Sequence, residues 1–167
     1  MSQFGRLSHL GQPDKNTPFL TRADLGGRVI RETQRRLVTM DKVVAHWVER
    51  AEYDLETAKA MLETARYLYV AYMCQQAVEK LLKALIAQQN KETLPIHNLN
   101  RLAEIAGISD HLDPEQFGFL AELTPYCVEA RYGDYKESLS EIVNAEKAKV
   151  VYEKTREIFG WLFQKID

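Results

Sequence analysis

Three observations predict an all-α fold, an up-and-down bundle of four to five helices preceded by a basic N-terminal arm. From Met40 onward, apolar residues recur at spacings of three and four, the period of one helix face. One stretch, from about 67 to 89, is apolar nearly all round, as expected of a helix at the centre of a bundle. No stretch sustains the alternation of a half-buried strand.

The elements follow in order. Residues 1–39 hold seven basic and three acidic side chains, several glycines and no sustained apolar period. They read as a flexible arm that binds phosphate or clamps a partner, or as an extension ahead of a true start at Met40. The bundle then occupies 40–167. A first helix over about 41–65 has Asp41 as N-cap and one face made of Val44, Trp47, Ala51, Leu55, Ala58, Leu62 and Ala65. The second runs over about 67–89, closed by Asn90 and kept closed by Pro95. Its single polar stripe is Gln75, Gln76, Glu79, Lys80 and Lys83. A short third helix, about 98–106, stops at Gly107. Asp113-Pro114 places an N-cap and a first-turn proline at the start of a fourth, which Pro125 should kink or interrupt. Arg131-Tyr132-Gly133-Asp134-Tyr135 reads as a loop. The last helix is expected over about 139–166, burying Ala148, Tyr152, Thr155, Phe159, Leu162 and Ile166. Short connections between long helices argue antiparallel neighbours.

Composition excludes several classes. The formal net charge of −2 does not favour a general nucleic-acid binder, whose domain is usually basic. The longest apolar run, Tyr67 to Cys74, is far short of the ~20 residues of a membrane helix, so no membrane association is expected. The N-terminus lacks the apolar stretch of a signal peptide. Cys74 and Cys127 fit a reducing cytoplasmic location. The four histidines are scattered, with neither a zinc spacing nor the Glu-x-x-His of a di-iron bundle. No metal site and no cofactor are therefore expected. Gly26-Gly27 alone is too weak a signal for a phosphate loop. Cys127 reads as a small buried hydrophobe.

Candidate chemistry gathers in three places. His97, in Pro95-Ile96-His97-Asn98-Leu99, sits at a helix entry, where it either meets an anion or packs as a local cap. Arg131, Tyr132, Asp134 and Tyr135 follow a helix exit. A guanidinium fork matches phosphate oxygens and a tyrosine can stack on a base, though Arg131 could equally close the loop by pairing with Asp134. Lys80 and Lys83 belong to the polar stripe. That stripe is either a solvated face or, because its helix should be central, the lining of a cleft or subunit interface.

The run Gln76-Ala77-Val78-Glu79-Lys80-Leu81-Leu82-Lys83-Ala84, the His97-Asn98-Leu99 turn and the Ala130-Arg131-Tyr132 exit occur in one order over about 42–165. Together with Ala51-Glu52-Tyr53-Asp54-Leu55, they resemble the HEPN family, the higher eukaryote and prokaryote nucleotide-binding domain. The resemblance implies a dimeric helical bundle. Small prokaryotic members are often paired with a minimal nucleotidyltransferase, and such pairs can act as toxin–antitoxin modules. Many members are metal-independent ribonucleases carrying an Arg, a gap of about four to six residues, and a His. Here Arg131 is followed by Tyr132-Gly133-Asp134-Tyr135-Lys136-Glu137-Ser138, with no His in range. The resemblance thus implies a homodimer that binds a nucleotide, or a nucleotidyltransferase partner, through Arg131, Tyr132, Asp134, Tyr135, His97, Lys80 and Lys83. The alternatives are a divergent ribonuclease acting on RNA through Arg131 and Tyr135, and a structural helical adaptor.

Overall fold

The computed structural model of the protein describes residues 41–129 and 143–166. Helix α1 (Lys42–Glu63) starts at Asp41, whose carboxylate accepts the Val43 N–H at 2.8 Å. It ends in a left-handed turn at Ala65, φ 57°. There the Arg66 N–H donates to the Met61 carbonyl at 2.8 Å and the Ala65 N–H to Leu62 at 3.3 Å, the paired bonds of a Schellman stop. Ala65 is therefore exposed rather than on the buried face expected for it, because the helix has already stopped at Glu63. An L-residue in this region costs about 1–2 kcal/mol, and a glycine gives back about 0.5–1 kcal/mol in extra unfolded-state freedom. Ala65→Gly is expected to stabilise the fold by about 0.5–1 kcal/mol, read as a rise in urea midpoint.

Helix α2 (Tyr67–Gln88) stops in the same way. Asn90 takes φ 57°, Lys91 N–H reaches the Ile86 carbonyl at 3.3 Å and Asn90 N–H reaches Ala87 at 2.8 Å. Asparagine tolerates that conformation better than most side chains. Helix α3 (Leu99–Ile105) is capped by Asn98, which accepts the Arg101 N–H at 2.9 Å, and ends at Gly107, φ 72°. Its last carbonyls are taken from outside: Gln89 Nε2 donates to Ala106 at 2.6 Å and Lys91 Nζ to Ile105 at 3.1 Å. A 3-10 turn (Ser109–His111) leads to α4 (Pro114–Leu123), opened by a full capping box between Asp113 and Gln116. Pro125 does interrupt the chain here. α4 ends at Leu123, and a separate one-turn helix, α5 (Tyr126–Glu129), follows.

Helix α6 (Ala145–Phe163) begins later than the sequence suggests. Asn144 is extended and accepts the Lys147 N–H at 2.9 Å, which marks it as the N-cap. Residues 139–142 lie outside the described residues, as do the arm over 1–39 and the loop expected at Arg131–Tyr135.

No strand occurs among the described residues, and the bundle is all-α. α2 is its centre, packed against α1, α3, α4, α5 and α6. Fourteen of its side chains are buried, whereas α1 and α6 bury one face each. Leu81, Leu82 and Ile86 of α2 meet Leu99 and Leu102 of α3, Leu120 and Leu123 of α4, and Leu162 and Ile166 at the end of α6 in one core.

Candidate functional site

Three residues of the polar stripe of α2, Gln75, Glu79 and Lys83, face inward rather than toward water. Gln75, Glu79 and Lys83 follow one another at intervals of four on a helix, so their side chains stack along one line of the surface. Gln75, Glu79 and Lys83 are buried, whereas Gln76 and Lys80 beside them keep partial exposure, so of the two readings of the stripe this line follows the covered one. Side-chain exposure is 5% at Glu79 and 8% at Lys83.

The Glu79 carboxylate is the hub. Lys83 Nζ donates to its Oε1 at 2.8 Å and Gln75 Nε2 to its Oε2 at 3.0 Å. His97 Nδ1 lies 3.0 Å from Oε2 and 3.2 Å from Oε1. Gln75 Nε2 also reaches the His97 carbonyl at 3.3 Å, and Gln76 Nε2 donates to Gln75 Oε1 at 2.7 Å. Trp47 of α1 completes the surroundings, its ring centroid 5.5 Å from Lys83 Nζ, within cation–π range.

Burial alone would push the Glu79 carboxyl up. Hydrogen bonds from Lys83, Gln75 and His97, with the charge of Lys83, outweigh it and hold the group below its ordinary 4.5. Glu79 is therefore ionised at neutral pH and a poor proton acceptor, which removes it as a general base. An ionised carboxylate only accepts hydrogen bonds, so His97 Nδ1 must carry a proton. The other ring nitrogen, Nε2, is then an acceptor in the neutral ring and a donor in the imidazolium. The His97 side chain is 46% exposed. The network thus fixes the ring from the inside while leaving part of it open to solvent. Its chemistry is to position, not to react.

The sequence-predicted residues separate into three groups. Lys83 and His97 are brought together, through Glu79. Lys80 points elsewhere: its ammonium pairs with Asp54 of α1. Arg131, Tyr132, Asp134 and Tyr135 lie outside the described residues. The described chain leading toward them starts beside the His97 turn. The Thr124 hydroxyl accepts the Leu99 N–H at 3.1 Å and donates to the Leu120 carbonyl at 2.8 Å, and α5 packs on α2. Sequence reasoning named Gln75 and Glu79 only as part of the polar stripe, not as site residues, and missed two partners on α1, Asp54 against Lys80 and Trp47 beside Lys83. The usable signal was a polar Gln75–Glu79–Lys83 line on a helix otherwise too apolar to have a wet side.

Neither cysteine offers a nucleophile. Both are buried, and burial pushes the Cys74 thiol up to about 12, with the Thr155 hydroxyl pulling weakly the other way. Among the described residues, no three His, Cys, Asp or Glu side chains are grouped so as to hold a metal ion. No helix among them is long and apolar enough to cross a membrane.

The model of the HEPN domain family matches residues 44–166, the span of the whole described bundle and of the polar network. No curated protein matches the chain. Among solved structures, the crystal structure of TT1696 from Thermus thermophilus superposes with a TM-score of 0.64 at 19% identity, covering 73% of this chain and 97% of that one. At that identity the likeness concerns the fold.

Proposed function

The chain belongs to the HEPN domain family, and from that membership we propose that it is a nucleotide-binding member that works as a homodimer beside a minimal nucleotidyltransferase partner and does not cleave RNA. The observation that carries this reading is the family match without the family's Arg-to-His ribonuclease spacing: no His follows Arg131 within range, and no other arginine of the chain has one at that distance. A lone arginine can steady phosphate oxygens, but it supplies no general base near neutral pH. Tyr135, with an ordinary pKa of about 10, does not replace one.

On this reading Arg131 binds the phosphates and Tyr132 or Tyr135 stacks on the base, with Asp134 orienting the arginine. His97 is the third contact. Its ring is steadied by buried Glu79, and the chain leading toward residue 131 starts beside its turn. Lys83 acts through Glu79 as a positioning residue. A toxin–antitoxin role is the physiological setting in which such a pair would operate.

The test is RNA cleavage by the full chain and by Arg131→Ala, both in chelator. Intact RNA with both proteins is expected. Cleavage by the wild type that the variant loses would overturn the proposal in favour of a divergent ribonuclease.

A further inference from the structure

A second site lies apart from the Glu79 network. α4 and α6 leave an open cleft of about 320 Å³ between them. Among the described residues, Phe119 and Trp161 form its aromatic walls, and three carboxylates, Asp113, Glu115 and Glu157, stand around it with one cation, Lys154. The lining therefore carries an excess of negative charge. Anions are disfavoured here despite the nearby start of α4, where the Asp113 carboxylate already accepts the Gln116 N–H. The cleft is thus unsuited to a nucleotide phosphate, and its lining includes none of the residues proposed above.

The protein's own lysines show what the walls accept. Lys154 Nζ donates to Glu115 Oε1 at 3.0 Å and lies 5.9 Å from the Phe119 ring centroid. Lys165, which does not line the cleft, places its ammonium 4.2 Å from the Trp161 centroid. Each ring already attracts a cation, and one of those cations is also bound by a carboxylate of the cleft. Carboxylates beside aromatic faces are the recognition chemistry of an organic cation. The volume is that of a small-molecule site rather than a protein-binding surface.

We propose that this cleft binds a small alkylguanidinium or alkylammonium molecule, held by Glu115 and Glu157 and by the faces of Phe119 and Trp161, with Lys154 as an internal competitor for the same groups. The competitor gives the proposal an unusual sign. Lys154→Met keeps the aliphatic stem and removes the charge, so it frees Glu115 and the Phe119 face and strengthens binding. Ordinary loss of a surface contact would weaken it.

The experiment is calorimetric titration of the full chain with agmatine, and with neutral N-butylurea as the uncharged control. Saturable agmatine binding is expected, with none for butylurea. Lys154→Met should tighten it and Glu157→Gln weaken it, each by about two- to fivefold, the range of a partly exposed ion pair. Trp161→Leu should weaken it by a similar factor or more. Thermal melts of each variant establish that the bundle is intact. The proposal is overturned if agmatine binds neither the wild type nor Lys154→Met, if Lys154→Met leaves affinity unchanged or lowers it, or if butylurea binds as well as agmatine.

Discussion

Glu79→Ala is expected to destabilise the bundle by about 3–5 kcal/mol, the range for breaking a buried ion pair from one side. The loss comes less from the missing hydrogen bonds than from what remains. Lys83, 8% exposed, keeps its charge with no carboxylate beside it, and Gln75 and His97 lose their shared acceptor. A domain of ordinary stability holds about 5–15 kcal/mol in total, so the variant should melt far earlier. Urea denaturation measures this directly. The double variant Glu79→Leu/Lys83→Met should recover most of the loss, because exchanging a buried pair for apolar groups of similar volume is close to neutral. A single-variant cost below about 1 kcal/mol, the ceiling of an exposed pair, would mean that the pair is solvated after all. The same hub predicts the acid response. The folded Glu79 carboxyl titrates below its ordinary 4.5, so the stability it contributes is fully present above that value. It is lost as pH falls through the lower, folded pKa. Glu79→Gln should flatten the acid side of the stability profile.

Leu81→Ala and Leu82→Ala should each cost about 2–5 kcal/mol, the range for a leucine removed from a packed core. Neighbouring positions on a helix point about 100° apart. On a one-faced helix, one of two adjacent leucines would therefore tolerate truncation. Both side chains are 0% exposed here, because α2 is packed against all the other described α-helices. Chemical denaturation of the two variants separates the cases. Two large losses fit a central helix, and one large and one small loss would reassign α2 to the surface.

Local signals made most of the fold legible. Asp41, Asn98 and Asp113 are short polar side chains directly ahead of apolar periods, and each caps the helix it announces. Gly107 and Asn90 mark left-handed stops, and Pro125 marks the break after α4. Where the local signal was missing, the sequence misled. Ala65 makes the same left-handed stop with a residue that carries no turn signature. The composition of residues 139–143 suggests an earlier start for α6, whereas the cap at Asn144 decides it.

The site was legible in part, for a different reason. His97 and Lys83 stood out by type and position, but their meeting depends on Glu79. Glu79 meets Gln75 and Lys83 at helical spacing, but His97 comes from a turn 18 residues away in sequence, a distance that no helical period encodes. The polar stripe carried two readings because periodicity tells which residues share a face but not what covers that face. Packing of α1 across it, with Trp47 over Lys83, decides the matter.

The function proposed for this HEPN bundle is to bind nucleotides through Arg131 without cleaving RNA. The most direct measurement is calorimetric titration of the full chain with ATP in chelator, beside Arg131→Ala. Saturable binding by the wild type is expected, weakened about tenfold or more in the variant by the loss of charged hydrogen bonds to phosphate. No binding by the wild type, or equal binding by both proteins, would contradict it.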